Sequence, residues 1–356
     1  MSKSIETNVL FIGDPHIQID NIQEVELCLK KLIILIKEKP PTFIVIAGDL
    51  LHTHERLHTT PLNKCYDFIN EMRNICRTYV LVGNHDYENN SQFLTTNHWM
   101  NGLKEWKNVV IIDKVIVENI NNRQFTFVPY VSPGRFKEAL DTVFSDEKMD
   151  LLNSDCIFAH QEFFGCKMGA IVSVEGDKWP IDYPNIISGH IHSRQTPQKN
   201  IYYSGSMLQH AFGESTKNIV AYLIFNDNPG YFLEEIDLEL PRKKIIYMDV
   251  ENLDDYKLVK TEDKIKITVS GSYEQFKALK KTKKYKSIID TGVKVVFKSK
   301  KIEHKENVPE KVVNETLFST ILTEIINNEK DKYLFQTYEL VVNNKNIDFN
   351  DILYVD

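Results

Sequence analysis

The sequence predicts an α/β protein in which a two-sheet sandwich flanked by helices is followed by a small α+β unit. Up to about Leu240, short apolar runs of buried-strand type alternate with segments of helical spacing. Residues of metal-ligand type stand directly after those runs. Pro241 and the cluster Arg242-Lys-Lys244 then mark a change of composition. A chain of 356 residues, 42% of them hydrophobic, has room for one large domain and a smaller one.

The apolar runs are residues 9–12, 43–47, 79–82, 157–159 and 186–188, each short and unbroken, as strands covered on both faces are. Segments 23–39 and 61–77 carry helical spacing, the second with Pro61 in the first turn, where a missing N–H costs nothing. From 109 to 127 strands follow one another without a helix. Beyond Pro241 the pattern reads as strands at 245–250, 264–269 and 293–297 with a helix from 273 to 281 or further. From Pro309 onward, Phe318, Ile321, Leu322 and Ile325 take the i, i+3, i+4, i+7 spacing of an amphipathic helix. The expected division is 1–240, 241–305 and 306–356.

Charge is unevenly distributed. The formal net charge is −7, yet residues 241–356 carry 22 basic against 19 acidic residues, and 257–301 alone hold 14 lysines against four acids. Lys280, Lys281, Lys283 and Lys284 lie at the centre of that run, the candidates for phosphate contacts of a nucleic-acid backbone. The bland alternative is a solvated face. Five scattered cysteines without a C-x-x-C pair suggest neither a disulfide framework nor a zinc knuckle and fit a reducing compartment. No signal-peptide pattern and no membrane span is read, so the expected location is the cytoplasm, or the nucleus or a viral replication compartment for a eukaryotic or viral source.

The chemistry lies in five short segments: Asp14-Pro-His16, Gly48-Asp49, Gly83-Asn-His-Asp86, His160 and Gly189-His-Ile-His192. In extended backbone, residues two apart project to one side, so Asp14 with His16 and His190 with His192 are expected to form chelating pairs. Carboxylate, imidazole and amide oxygen suit manganese, iron or zinc rather than calcium or a thiolate-seeking ion. Two cations about 3.5–4 Å apart require a carboxylate between them, and Asp49 is the candidate bridge. Such a pair of ions favours phosphoester hydrolysis. A lone histidine such as His160 is ordinarily a satisfied core residue, and only its place in the ordered set makes it a ligand candidate. His54, His58 and His98 are read as surface or capping residues, and His210 as a residue of the rim.

In this order the motifs resemble the calcineurin-like metallophosphoesterases. The resemblance implies one ion on Asp14, His16, Asp49 and His192 and another on Asp49, Asn84, His160 and His190. It makes His85 the acid or transition-state stabiliser, oriented by Asp86. Two further segments, Gly48-Asp-Leu-Leu-His52 and Tyr203-Ser-Gly-Ser-Met-Leu-Gln-His-Ala-Phe-Gly-Glu214, resemble the SbcD-type nuclease subunits of double-strand-break repair, among them the meiotic recombination repair nucleases. That likeness places His52 beside the scissile phosphate and makes the basic α+β unit a DNA-capping domain. It implies a two-metal DNA exonuclease and endonuclease using Mn2+, with Mg2+ as the alternative, acting on duplex ends and single-stranded DNA. It also implies a homodimer and an SMC-type, SbcC-like ATPase partner docked on the C-terminal segment. Pro15, Gln18 and Ala211 depart from the pattern, and the tail after Lys301 is short for it. The rival readings are a phosphoesterase of small molecules or proteins, such as a cyclic-nucleotide or dinucleotide hydrolase, and an inactive scaffold of the same fold.

Overall fold

The computed structural model describes residues 6–54, 56–145, 150–214, 219–227, 230–257 and 261–299, with Thr323, Ile325, Ile326, Leu334 and Tyr338 beyond them. Two compact units divide the chain, Met1–Lys300 and Lys301–Asp356. In the second, Thr323, Ile325 and Ile326 are helical; Phe318, Ile321 and Leu322 of the expected amphipathic helix lie outside the described residues.

The first unit runs β1 (Thr7–Ile12), α1 (Ile22–Glu38), β2 (Phe43–Ile46), α2 (Thr59–Ile75), β3 (Thr78–Leu81), β4 (Val109–Ile112), β5 (Ile116–Ile120), β6 (Arg123–Val128), α3 (Phe136–Phe144) and β7 (Ser154–His160). The hairpin β8 (Lys167–Met168) and β9 (Ile171–Val172) follows, then β10 (Ile186–Gly189), β11 (Gln195–Gln198), β12 (Ile201–Tyr203), β13 (Ile219–Phe225) and β14 (Phe232–Asp237). A smaller α+β unit, the expected cap, comprises β15 (Lys243–Asp249), β16 (Lys264–Gly271), α4 (Tyr273–Leu279), α5 (Lys283–Asp290) and β17 (Lys294–Ser299).

Two six-stranded sheets result, in the orders β14-β13-β1-β2-β3-β4 and β11-β12-β10-β7-β6-β5. Within the first, β1 to β4 are parallel, and within the second so are β6, β7, β10 and β12. Parallel strands bring several loops to the same sheet edge, which is how segments far apart in sequence can meet.

Strand alternation decides which residues fill which layer. Val9 and Phe11 of β1, Phe43 and Val45 of β2, and Tyr79 and Leu81 of β3 point between the sheets, where Phe125, Phe127, Cys156, Phe158, Ile187 and Tyr202 meet them. Their neighbours Leu10, Ile12, Ile44, Ile46 and Val80 point outward onto α1 and α2. Helix α1 answers with Val25, Cys28, Leu32 and Ile36, and α2 with Cys65, Phe68, Ile69 and Met72. On the far side, Phe136, Ala139 and Leu140 of α3 cover Val128, Ile157, Ala159 and Ile186. Phe158 sits at the centre of the sandwich, with ring centroids 5.5 Å from Phe127, 6.0 Å from Phe11 and 6.1 Å from both Phe43 and Phe125.

The cap is a parallel three-stranded sheet in the order β15-β16-β17. Its own core is Val250, Leu253, Ile267, Val269, Phe276, Leu279 and Ile288. The single helix expected from 273 is two helices. Thr282 interrupts it, its hydroxyl accepting the Tyr285 N–H at 3.1 Å and so starting α5 afresh. No helix among the described residues is long and apolar enough to cross a membrane.

Phe158→Ala should cost about 3–5 kcal/mol in urea unfolding, the loss typical of a phenyl ring deleted from a packed interior. A loss below about 1 kcal/mol would show that the inter-sheet layer relaxes into the void and does not set stability.

Candidate metal centre

The strands stop just short of the chemistry. Strand β1 ends at Ile12 and β2 at Ile46, and beyond them Asp14, His16 and Asp49 take left-handed backbone angles (φ 23°, 41° and 48°), as does His190 (φ 79°) after β10. The expected extended, alternating chelates at Asp14/His16 and His190/His192 are therefore not what forms; the side chains converge because the backbone turns. Two amide bonds brace the turns, His16 N–H to the Asp49 carbonyl (2.9 Å) and Ile17 N–H to that of Leu50 (2.6 Å).

Glycine lets the loops close on one another. A Cβ at Gly83 would lie 2.2 Å from Asp49 Oδ1, and one at Gly48 (φ +101°) would lie 2.7 Å from the Gly83 nitrogen.

The seven expected ligands gather around Asp49. Its Oδ2 lies 3.5 Å from His16 Nε2 and 3.4 Å from His160 Nε2, so one carboxylate faces two clusters. In the first, His16 Nε2 and His192 Nε2 approach to 2.9 Å. In the second, Asn84 Oδ1 is met by His160 Nε2 at 3.1 Å and His190 Nδ1 at 2.9 Å. Asp14 Oδ1 accepts the His190 N–H (2.9 Å) and lies 3.5 Å from His160 Nδ1. Among the described residues its buried Oδ2 has no hydrogen-bond partner, nor has His16 Nδ1.

These donors fit a pair of divalent cations. Burial pulls His16 well below its ordinary pKa against the attraction of Asp49, and burial with the nearby His160 takes His190 down to about 3, so both offer lone pairs. Burial also raises Asp49, but His160, His16 and His85 outweigh it and keep the carboxyl well below its usual range. His160 is lifted to about 9, since Asp49 and Asp14 overcome the burial that would lower it. The pocket thus demands positive charge, which a proton on His160 or a cation can supply. The set is all nitrogen and oxygen, without thiolate.

His85 stands at the mouth. Its ring centroid is 4.8 Å from that of His16, its amide donates to Asp49 Oδ1 (2.8 Å), and its Nδ1 bonds the His52 carbonyl (2.8 Å). The expected orientation of its ring by Asp86 is corrected by the structure. Asp86 accepts from the Gly83 amide (3.0 Å), the Leu50 amide (3.2 Å) and Trp99 Nε1 (2.9 Å), and so fixes the loops instead. Burial, reinforced by Asp49, raises the Asp86 carboxyl to about 7. His52 is exposed, its ring 5.3 Å from His16 and 5.9 Å from His85.

Three histidines differ from their expected places. His54 lies stacked on His85, centroids 4.5 Å apart and planes 14° from parallel. His98 is buried, with Nε2 on Asp113 at 3.1 Å. His210 does more than line the rim: its Nε2 bonds the Asp14 carbonyl (3.0 Å) and its ring packs against His16 and His192. His58 is exposed before α2. Glu214 closes the Tyr203–Glu214 segment, and nothing in the sequence signals its role. It lies 3.6 Å from His192 Nδ1 and accepts the His210 and Ala211 amides, and these contacts outweigh burial to hold it at about 2. A carboxylate behind a ligating imidazole fixes its tautomer. Lys280, Lys281 and Lys283 are exposed and Lys284 half-buried at the α4–α5 junction, Lys280 lying over the Phe276 ring at 4.7 Å.

Residues 7–194, ending just past His192, match the calcineurin-like phosphoesterase family. The chain belongs to that family. It is accordingly a metallophosphoesterase, a phosphoester hydrolase that uses divalent metal, and its two sheets with flanking helices are the family fold. It is 51% identical over 284 residues to the putative phosphoesterase 244L of Invertebrate iridescent virus 6, covering 77% of this chain and 98% of that one. With the putative phosphoesterase 078R of Invertebrate iridescent virus 3 it shares 44% identity over 329 residues, 92% of this chain and 94% of the other. Among solved structures, the phosphoesterase Yfce of E. coli aligns at 12% identity over 65% of this chain and 100% of its own, with a TM-score of 0.32.

Asp49→Asn should lose at least half of the bound metal by mass spectrometry of the purified protein, with far-UV circular dichroism unchanged. Full metal content in that variant would remove Asp49 from the bridging position.

Proposed function

We propose that this metallophosphoesterase cuts DNA, as the nuclease subunit of an SbcCD-like repair or recombination complex. The carrying observation is how the lysine-rich cap joins the metal centre. Gln209 and Lys243 exchange bonds, Lys243 N–H to Gln209 Oε1 at 2.6 Å and Gln209 Nε2 to the Lys243 carbonyl at 3.0 Å. Lys243 Nζ also donates to the His210 carbonyl at 3.2 Å. Since His210 bonds Asp14, β15 is tied to the metal loop through a single residue. A basic unit anchored this close supports a polyanion extending beyond the scissile bond, for which a small phosphoester has no need.

Cations held by Asp14, His16, Asp49 and His192 and by Asp49, Asn84, His160 and His190 would neutralise phosphate charge and acidify a water. The remaining work belongs to His85. Its Nδ1 is engaged by the His52 carbonyl, which leaves Nε2 for the substrate. Burial, against Asp49, lowers its pKa in the free protein. When protonated, Nε2 can pass its proton to the leaving oxygen of a phosphate beside it. His54, stacked on its face, restricts the ring.

Manganese is the proposed native ion. The same reading makes the enzyme a homodimer, with an SMC-type ATPase on the C-terminal segment. The iridescent-virus relatives are putative phosphoesterases, which supports action in a viral replication compartment.

Purified protein with Mn2+ should degrade linear duplex DNA, and His85→Ala should lower the rate by about 10²–10⁴-fold with metal content unchanged. Rapid hydrolysis of a cyclic nucleotide with DNA left intact would replace the nuclease reading by that of a small-molecule phosphodiesterase.

A further inference from the structure

A depression that includes His190 and His192 in its wall is lined also by Met168, Ile191 and Phe212 together with Lys167, Ser193 and Glu214. We propose that this slot is a nucleobase subsite, holding the base of a nucleotide next to the scissile phosphate. The inference rests on the phosphodiesterase reading above and specifies what the substrate presents to the wall of that site.

Position restricts the occupant. Two candidate metal-ligand histidines form part of the slot's own lining, so a group inside it lies next to the phosphate they would serve. In a phosphodiester of DNA the large uncharged neighbour of that phosphate is a nucleoside. The apolar lining is of the kind that stacks on planar rings, a phenyl group and a polarisable thioether. Lys167 and Ser193 add polar groups able to meet the edge of a base.

Both apolar walls are held in place. Phe212 belongs to the loop that also carries His210 and Glu214, and the ammonium of Lys266, on β16 of the cap, lies 5.6 Å from its ring centroid. Met168 is 38% exposed, next to the hairpin turn that Gly169 opens at φ 64°. It pairs across the hairpin with Ile171. The hairpin is fixed to β11, Gln195 Oε1 accepting the Lys167 amide (2.7 Å) and Gln195 Nε2 donating to the Lys167 carbonyl (2.9 Å). The hairpin thus presents the Met168 thioether to the slot, where a stacked base would cover it.

The test compares kcat/KM for thymidine 5′-(p-nitrophenyl phosphate) with that for methyl p-nitrophenyl phosphate, which share a leaving group and differ in the nucleoside. Wild type should favour the nucleoside ester. Phe212→Ala and Met168→Ala should each reduce that preference about tenfold, chiefly through KM, and Phe212→Tyr should keep it. A wild-type ratio near one, or a ratio that both alanine variants leave unchanged, overturns the subsite while the phosphodiesterase reading stands. Failure of wild type to hydrolyse either ester while it degrades duplex DNA overturns the subsite alone, and failure on both esters and on DNA overturns the phosphodiesterase reading and the subsite together.

Discussion

The Asp49 carboxylate is the group on which the rest of the molecule depends. Buried charge without compensation is among the most costly arrangements a fold can hold, and here the compensation comes from imidazoles on two sides and from the His85 amide. Each compensating group arrives from a different strand end. The sandwich therefore does more than supply stability, because its parallel strands deliver β1, β2, β3, β7 and β10 to one edge, where a shared anion can be surrounded.

Around that anion the support is layered. Asp86 ties the Gly83 and Leu50 amides to Trp99, Glu214 backs His192, and Ala47 accepts from His160 Nδ1 at 2.7 Å. For His160 and His192 an engaged second nitrogen presents the first in a fixed direction, as a ligand imidazole requires. The cap enters the same scheme through Gln209 and Lys243, so the basic unit and the metal loop share hydrogen bonds.

Much of this was legible in the sequence, and the exceptions have identifiable causes. Strands β1, β2, β3, β7 and β10 could be read because both faces are covered, which leaves unbroken apolar runs. Strand β14, with Glu234, Glu235 and Asp237 at the sheet edge, gives no such signal. The gathering of Asp14, His16, Asp49, Asn84, His160, His190 and His192 followed from residue type and position after strands. What escaped were contacts through the backbone, between stacked rings and between side chains distant in sequence. The hold on His85 is a carbonyl, invisible in side-chain identity; its stacking partner His54 is fixed only by the path of a loop; and Glu214 acts on a histidine 22 residues earlier. Adjacency misled at Asp86, since neighbours in a tight turn point apart.

The left-handed angles at Asp14, His16, Asp49 and His190 carry one more consequence. Residues with a Cβ resist that conformation, at about 1–3 kcal/mol each, whereas glycine adopts it freely. A sequence refined for durability alone would drift towards glycine or asparagine at all four places. That it keeps aspartate and histidine there marks a trade between robustness and chemistry, concentrated in a few backbone torsions that a thermostabilising redesign would be tempted to relax, at the expense of the reaction.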